Sequence, residues 1–433
     1  MRRNTGVSTR AAALDLLDAV LIRQARLDQA LQQSVKFERL ESSDRAFARL
    51  IVSTCLRNLG EIDQAIDSFL NKPIAEKSLY VRHALRIAAT QLMYLETPPH
   101  AAVDTGVSLV KGSRFAGFAG LVNAVLRRIA KYERPPREKA AVTNIPSWLF
   151  QSWEKEYGAE TARKIALAHT AEPPLDITAK SETDQIAADL GGYVLPTGSI
   201  RIKYVGDVTS LPRYDEGIWW VQDAAAALPA QLIPEPAGKY ILDLCAAPGG
   251  KAAQLASAGG RVTAVDQSET RLQLVRANLA RLGLKADIVA SDVTNWRPPE
   301  LADAVLLDAP CTATGTIRRH PDVAYLKQLA DVRRLAKTQS ALIEAAAEMV
   351  KPGGHLVYAV CSLQPEEGPR VINKFLLNNT AFSRDPIAPD ELPGIADFVT
   401  SAGDLRTLPN AWSQEGGLDG FYAVRLVRKF GTR

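Results

Sequence analysis

Cysteine is scarce in this 433-residue chain: Cys55, Cys245, Cys311 and Cys361 lie far apart. That number and spacing exclude a disulfide framework. No pair has the C-x-x-C spacing of a zinc site, and the C-x-x-x-C-x-x-C run of a radical-generating iron–sulfur cluster is missing. The five histidines form no ligand cluster, so no metal is expected. No apolar run nears the roughly 18 residues that span a bilayer. Arg2, Arg3 and Arg10 begin the chain, but Asp15 and Asp18 follow at once. That is neither the apolar core of a signal peptide nor the acid-poor run of a transit peptide. The expectation is a cytoplasmic protein without membrane attachment, a monomer by default. Internal repeats and low-complexity segments are lacking as well.

What is present is ordinary in bulk and uneven in distribution. Hydrophobic residues make up 46% and charged residues 23%, which excludes disorder as a description of the whole. The length predicts two to four domains at roughly 100–200 residues each. The formal net charge of +4 divides unequally. Residues 1–140 hold 22 Lys and Arg against 14 Asp and Glu, a net of +8; the rest hold 30 against 34, a net of −4. A basic end joined to an acidic one raises the expectation of a polyanionic partner.

The first 132 residues read as helices, forming an all-α domain. Ser8 and Thr9 can cap a helix running to about Arg26, with Ala12, Leu16, Ala19 and Val20 at core-facing spacing. Ser42 and Ser43 precede a second, whose stripe is Phe47, Leu50, Ile51 and Thr54, with Cys55 beside it as a small buried hydrophobe. Further helices are predicted over about 62–70, 79–95, 101–110 and 121–132. Residues 133–146 carry Pro135, Pro136 and Pro146 and read as a linker. Residues 147–236 predict a small α+β module, with helices over 148–157 and 159–168 and a strand over 200–204. From residue 237 strands and helices alternate, the pattern of a parallel, doubly wound sheet.

In that last domain the strand Tyr240–Leu244 runs into Cys245-Ala246-Ala247-Pro248-Gly249-Gly250-Lys251 and a helix. Small residues after a first strand let the backbone approach a ligand at a helix amino terminus. The next strand, Arg261–Val265, ends in Asp266, placed to accept from ribose hydroxyls. After Asp287–Ala290 comes Asp292, placed to bond an adenine amino group. The loop lacks the G-x-G-x-x-G order of dinucleotide binders and the G-x-x-x-x-G-K-[ST] order of phosphate loops, since Ala252 follows Lys251. An adenosyl cofactor without pyrophosphate suits it, and S-adenosylmethionine adds a sulfonium that suits an acidic site.

Strand Asp303–Leu307 leads to Asp308-Ala309-Pro310-Cys311, and His355–Ala359 to Val360-Cys361-Ser362. Three of four cysteines therefore lie at strand carboxyl ends, the edge where ligands bind in open α/β sheets. The chemistry that needs a thiol there is methylation of cytosine C5, a poor nucleophile until a thiolate adds to C6. Thiols of ordinary pKa ~8.5 are a few per cent ionised at neutral pH and already strongly nucleophilic. Asp308 is the candidate to stabilise the adduct at N3. Spacing alone leaves open which cysteine attacks.

The strings Leu242-Asp-Leu-Cys-Ala-Ala-Pro-Gly-Gly-Lys251, Asp308-Ala-Pro-Cys311, Tyr358-Ala-Val-Cys-Ser362, Pro365-Glu366-Glu367 and Asp419-Gly-Phe-Tyr-Ala423 resemble the RNA 5-methylcytosine methyltransferases, as does Val221-Gln222-Asp223. The segments Pro98-Pro-His-Ala-Ala-Val103 and Val122-Asn-Ala-Val-Leu-Arg-Arg128 resemble the all-α RNA-binding domain of the antitermination factor NusB. The resemblance implies a Rossmann-like S-adenosylmethionine-dependent catalytic domain, with cofactor contacts at Cys245, Ala246, Ala247, Pro248, Gly249, Gly250, Lys251, Asp266, Asp292 and Asp308. It implies Cys361 as nucleophile, Cys311 assisting proton removal and product release, and 16S ribosomal RNA as partner. Val360 stands where the family usually has Thr, and Gly368 where Asn is common. Pro173 to Lys180 lacks its Leu-Arg-Val-Asn string. Candidate RNA contacts are Arg127, Arg128 and Lys131, with Arg134, Arg137 and Lys139 nearby, and Arg318, Arg319, Arg333 and Arg334 after Cys311. The alternatives are the same chemistry on transfer RNA, or a non-catalytic RNA-binding factor.

Overall fold

The computed structural model describes residues 2–203 and 206–430, with side chains from residue 6 onward. Tyr204, the end of an expected strand, and the side chains of Arg2 and Arg3 lie outside the described residues. The chain divides into two compact units. One runs to Ala171 and takes back Ile317–Gln328; the other is Glu172–Thr316 with the chain from Leu329 onward. No helix among the described residues is long and apolar enough to cross a membrane.

The first unit is all helical: α1 (Arg2–Leu21), α2 (Leu27–Gln33), α3 (Val35–Glu38), α4 (Ser42–Arg57), α5 (Leu59–Ser68), α6 (Leu79–Tyr94), α7 (Pro99–Lys111), α8 (Ala119–Ile129), α9 (Arg137–Thr143), α10 (Ser147–Tyr157) and α11 (Ala159–Ala168). The predicted stripe of α1 is buried: Ala12, Leu16, Ala19 and Val20 all face the core. In α4 the buried stripe is Ala48, Ile51, Val52, Cys55 and Leu56, so the expected face is rotated and Cys55 lies on it. Its thiol, fully enclosed, is pushed up to about 12 by burial.

Two expectations fail here. The linker is not free: Pro136 precedes α9, whose Ala140 and Ala141 are buried, and Asn144 Oδ1 accepts from the Glu61 N–H at 2.8 Å. Prolines that read as a spacer start a short helix, because a missing N–H costs nothing at a helix amino end. Helices α10 and α11, assigned to the middle module, belong to this unit, with Trp153 on α10 buried against His169.

The second unit opens with a four-stranded antiparallel sheet of β1 (Leu175–Ala179), β2 (Tyr193–Val194), β3 (Ile200–Ile202) and β4 (Trp219–Val221), in the order β2-β3-β1-β4, with helix α12 (Thr183–Asp189). Asp176 and Arg201 form a buried ion pair at 2.7 Å across it. After α13 (Ala224–Gln231) come β5 (Tyr240–Leu244), α14 (Gly250–Ser257), β6 (Arg261–Asp266), α15 (Glu269–Leu282), β7 (Asp287–Ala290), β8 (Ala302–Asp308) and the short α16 (Val323–Leu326) of the returned segment. The chain closes with α17 (Leu329–Glu348), β9 (Val350–Val360), α18 (Pro369–Asn378), β10 (Phe382–Arg384), β11 (Leu405–Arg406) and β12 (Tyr422–Arg428).

The main sheet has the order β10-β12-β9-β8-β5-β6-β7, with β11 beside β12. Strands β9, β8, β5, β6 and β7 are mutually parallel, as the alternating pattern predicted, and β12 is antiparallel to β9. Period-two side chains fill both faces. Ile241, Ala304, Leu306, Val357 and Ala359 pack on one; Leu242, Leu244, Val305, Leu307, Tyr358 and Val360 pack on the other. Val360 lies wholly in that apolar layer, where a valine needs no partner. Strand order runs outward from β5 to β7 on one side and from β8 to β9 on the other, so the switch point lies between β5 and β8, the crevice where such sheets bind ligands.

Candidate active site

The loop after β5 is shaped by backbone more than by side chains. Cys245 has φ +62° and Gly249 φ +101°, a left-handed pair that turns the strand into α14. Asp266, at the end of the neighbouring β6 and 2% exposed, holds the loop: its carboxylate accepts from the N–H groups of Ala247 (3.2 Å) and Ser268 (2.9 Å). Arg271 donates to the Ala247 carbonyl and sits 3.5 Å from the same acid. Asp266 thus lies where the sequence put it, with a structural task the sequence did not reveal. Asp292 is exposed and accepts from the N–H and hydroxyl of Thr294 at 2.9 and 2.7 Å, which holds its pKa below the ordinary range.

Lys251, on the first turn of α14, is buried, and its Nζ donates to Asp308 Oδ2 at 2.8 Å. Burial alone would push the ammonium down; Asp308, Asp243 and Cys361 outweigh it, and its pKa is raised. Asp243 is a further acid at this edge, absent from the expected set. It stands in the apolar run Ile241–Leu244, fully buried, with Lys251 and the Ala252 N–H as the groups that favour its charge. Desolvation raises its pKa to about 7 despite Lys251. A lone acid inside a buried strand was the available signal.

The register Asp308↔Ala359 between β8 and β9 brings the next residues of the two strands together. Cys311 Sγ and Cys361 Sγ lie 3.4 Å apart. The Cys311 thiol is held well above its ordinary value by its hydrogen bond to Cys361, by burial and by the negative charge of Glu367. Close backbone approach builds the rest: Gly315 N–H donates to the Cys361 carbonyl at 3.0 Å and Gly420 N–H to the Gly315 carbonyl at 2.8 Å. A Cβ on Gly315 would lie 1.9 Å from the Gly420 carbonyl oxygen. That contact explains why the Asp419-Gly-Phe-Tyr segment accompanies the cysteine strings. Phe421 also stands under the Lys251 ammonium, 5.2 Å from ring centre to Nζ. Upstream, Gln222 links the small sheet to α14 through Gln254 at 2.6 Å.

The expected catalytic trio of Asp308, Cys311 and Cys361 is therefore gathered at two adjacent strand ends, with Cys245 and Asp266 on the strands beyond. Three acids, Asp243, Asp266 and Asp308, act together on Cys245 after its burial, raising its thiol pKa. An edge so rich in carboxylates suits a cationic sulfonium and opposes a phosphate-bearing ligand. Among the described residues no group of three or more potential metal ligands is found.

The proposed RNA contacts divide. Arg127, Arg128 and Lys131 are exposed at the end of α8, and Arg137, Lys139 and Arg333 are exposed as well. Arg134 is committed to the buried Glu61 at 2.8 Å, and Arg334 pairs with Asp331 at 2.8 Å. Arg318 is 1% exposed inside the helical unit, where its carbonyl accepts from Arg57. The segment that contains it carries Tyr325, whose hydroxyl donates to the carbonyls of Leu56 (2.9 Å) and Asn144 (3.1 Å). The expectation that Arg318 faces RNA does not fit this burial. Arg319 is half-buried beside His320.

Residues 230–427 match the family model described as 16S rRNA methyltransferase RsmB/F, and residues 7–131 match the NusB family. Ribosomal RNA small subunit methyltransferase B of Salmonella arizonae is 32% identical over 411 residues, 90% of this chain and 92% of that protein. A probable ribosomal RNA small subunit methyltransferase B of Synechocystis is 32% identical, covering 98% of this chain and all of its own. The crystal structure of PH0851 has the same fold, with a TM-score of 0.77 at 22% identity over 97% of this chain and 99% of that one. The structure of NSun6 from Pyrococcus horikoshii with SFG follows at 0.56 and 19%, over 66% and 99%.

Proposed function

The chain belongs to the RsmB/F family of S-adenosylmethionine-dependent small-subunit ribosomal RNA methyltransferases, and from that premise we propose that it methylates C5 of a cytosine in 16S ribosomal RNA through a covalent adduct on Cys361. The observation that carries the reading is the pair of thiols 3.4 Å apart beside the Lys251–Asp308 pair.

Each group then has a task. The Cys361 thiol gives up its proton, which Asp308 passes to N3, and the thiolate adds to C6; the Asp308 carboxylate, steadied by Lys251, then accepts from the N3–H of the adduct. C5, now the nucleophilic carbon of an enamine, takes the methyl group that S-adenosylmethionine supplies. The C5 proton passes to solvent by way of Cys311, which hands on its own thiol proton as it accepts that one; the C5–C6 double bond re-forms, and the Cys361 sulfur leaves with the pair of electrons it brought as N3 gives back its proton. The segment Cys245–Lys251 with Asp266 and Asp292 holds the cofactor; the acidity of this edge supports that assignment. The target base is unpaired or flipped from its stack, at a cost of about a few kcal/mol. Arg127, Arg128 and Lys131 grip phosphate backbone without reading sequence, and Arg319 is a further contact.

The test is transfer of a tritiated methyl group to 16S ribosomal RNA, followed by bisulfite sequencing. One newly protected cytosine is expected, lost in Cys361→Ala. Methylation confined to transfer RNA would refute the substrate, and labelling at a position other than cytosine C5 would refute the chemistry.

A further inference from the structure

Glu367 belongs to a string that marks the family, yet the reaction above gives it no task. It is fully buried, and one carboxylate ties together the residues that follow both cysteines. Oε1 accepts from the Thr312 N–H at 2.9 Å and from Gln339 Nε2 of α17 at 3.1 Å. Oε2 accepts from the Thr312 hydroxyl and from Ser362 Oγ at 2.5 Å. Thr312 follows Cys311, and Ser362 follows Cys361. Around this knot the Glu367 carbonyl accepts from the Tyr358 hydroxyl at 2.6 Å, and Arg406 donates to the Ser362 carbonyl at 2.8 Å. The next residue, Gly368, makes room for the same arrangement: a Cβ there would lie 3.0 Å from the Tyr422 ring and 3.2 Å from the Arg406 guanidinium.

We propose that Glu367 is a positioning residue that fixes the two thiols against each other, by clamping Thr312 and Ser362 on a single buried carboxylate. The proposal rests on the assignment of Cys361 and Cys311 to the methylation reaction. Burial is costly for a carboxylate, and it raises the pKa of Glu367; the hydrogen bonds from Ser362, Thr312 and Gln339 oppose that rise. A residue kept only for packing would not require four converging donors. Its charge has a second consequence. The groups acting on Cys311 are the Cys361 thiol just after β9, the Glu367 carboxylate from the following turn, and the Ala313 N–H, which opposes both. Glu367 adds to the forces that keep Cys311 a neutral thiol while Cys361 attacks.

The experiment uses the full chain carrying Glu367→Gln or Glu367→Asp, with three readouts. These are kcat and KM for ribosomal RNA, the Kd of S-adenosylmethionine, and the pH midpoint of Cys311 alkylation by iodoacetamide in a Cys361→Ser background without RNA. Misplacement of a reacting group by about 1 Å costs roughly 100-fold in rate. Glu367→Gln is expected to lower kcat by about that factor, to leave KM and cofactor Kd unchanged, and to move the alkylation midpoint to lower pH. Glu367→Asp keeps the charge and shortens the reach, so kcat falls while the midpoint stays. Wild-type kcat in a folded Glu367→Asp variant would overturn the proposal even if the Gln variant failed to fold. So would a kcat loss matched by weaker cofactor binding with an unmoved midpoint in Glu367→Gln. The alkylation arm needs no methyl transfer, so its outcome is separate from the identity of the substrate.

Discussion

Replacing Asp243 by Asn removes a buried charge with almost no change of shape. In the folded chain this carboxyl has a pKa of about 7, against 3.8 when exposed. Between those values the unfolded chain releases the proton and the folded chain keeps it, so stability falls as pH rises. Below about pH 4 both states are neutral, and above about pH 7 the folded state bears the whole cost. From pH 5 to pH 8 the wild type crosses about two units of that window, worth about 2.7 kcal/mol at 1.36 kcal/mol per unit. Asn does not titrate, so Asp243→Asn should gain that amount over wild type across the same interval. For a unit of this size the gain corresponds to a relative rise of roughly 5–10 °C in melting temperature. Thermal melts of both proteins at pH 5, 6, 7 and 8 provide the measurement. Parallel melting temperatures across the series would refute the claim that burial raises the pKa of Asp243.

Gly315→Ala forces a Cβ against the Gly420 carbonyl oxygen; methyl transfer should fall at least about tenfold, with S-adenosylmethionine affinity retained by calorimetry. Tyr325→Phe removes the donor to two carbonyls of the helical unit, and denaturant melts should show a loss of about 1–3 kcal/mol. Changing Arg127, Arg128 and Lys131 together to Ala should weaken RNA binding and reduce the salt slope of log K by about 2–3. An unchanged slope would take these residues out of the interface.

The catalytic half was legible because its signals are local. The strand Tyr240–Leu244 and the loop of small residues after it stand out in the sequence at their observed bounds, since a buried parallel strand is a continuous apolar run. The strand ends bearing Asp308, Cys311 and Cys361 followed from the same reading, and register did the rest. Signals carried by distant partners were not legible. Ile317–Gln328 lies beyond Cys311 in sequence, and the residues it packs on the helical core, Tyr325 and Leu326 among them, are adjacent and show no period. Pro135 and Pro136 mark a spacer and a helix start equally well. Glu367 reads as one of two adjacent acids, and only the fold separates the buried one from exposed-side Glu366, which pairs with Arg370 at 2.8 Å.

The most direct test of the central claim is to trap the intermediate. Cys311→Ala, incubated with 16S ribosomal RNA and S-adenosylmethionine, is digested with nuclease and protease and read by mass spectrometry. A methylated cytidine linked to the peptide that contains Cys361 is the predicted product. A nucleotide on any other residue, or no covalent species from a folded, cofactor-binding variant, would contradict the assignment.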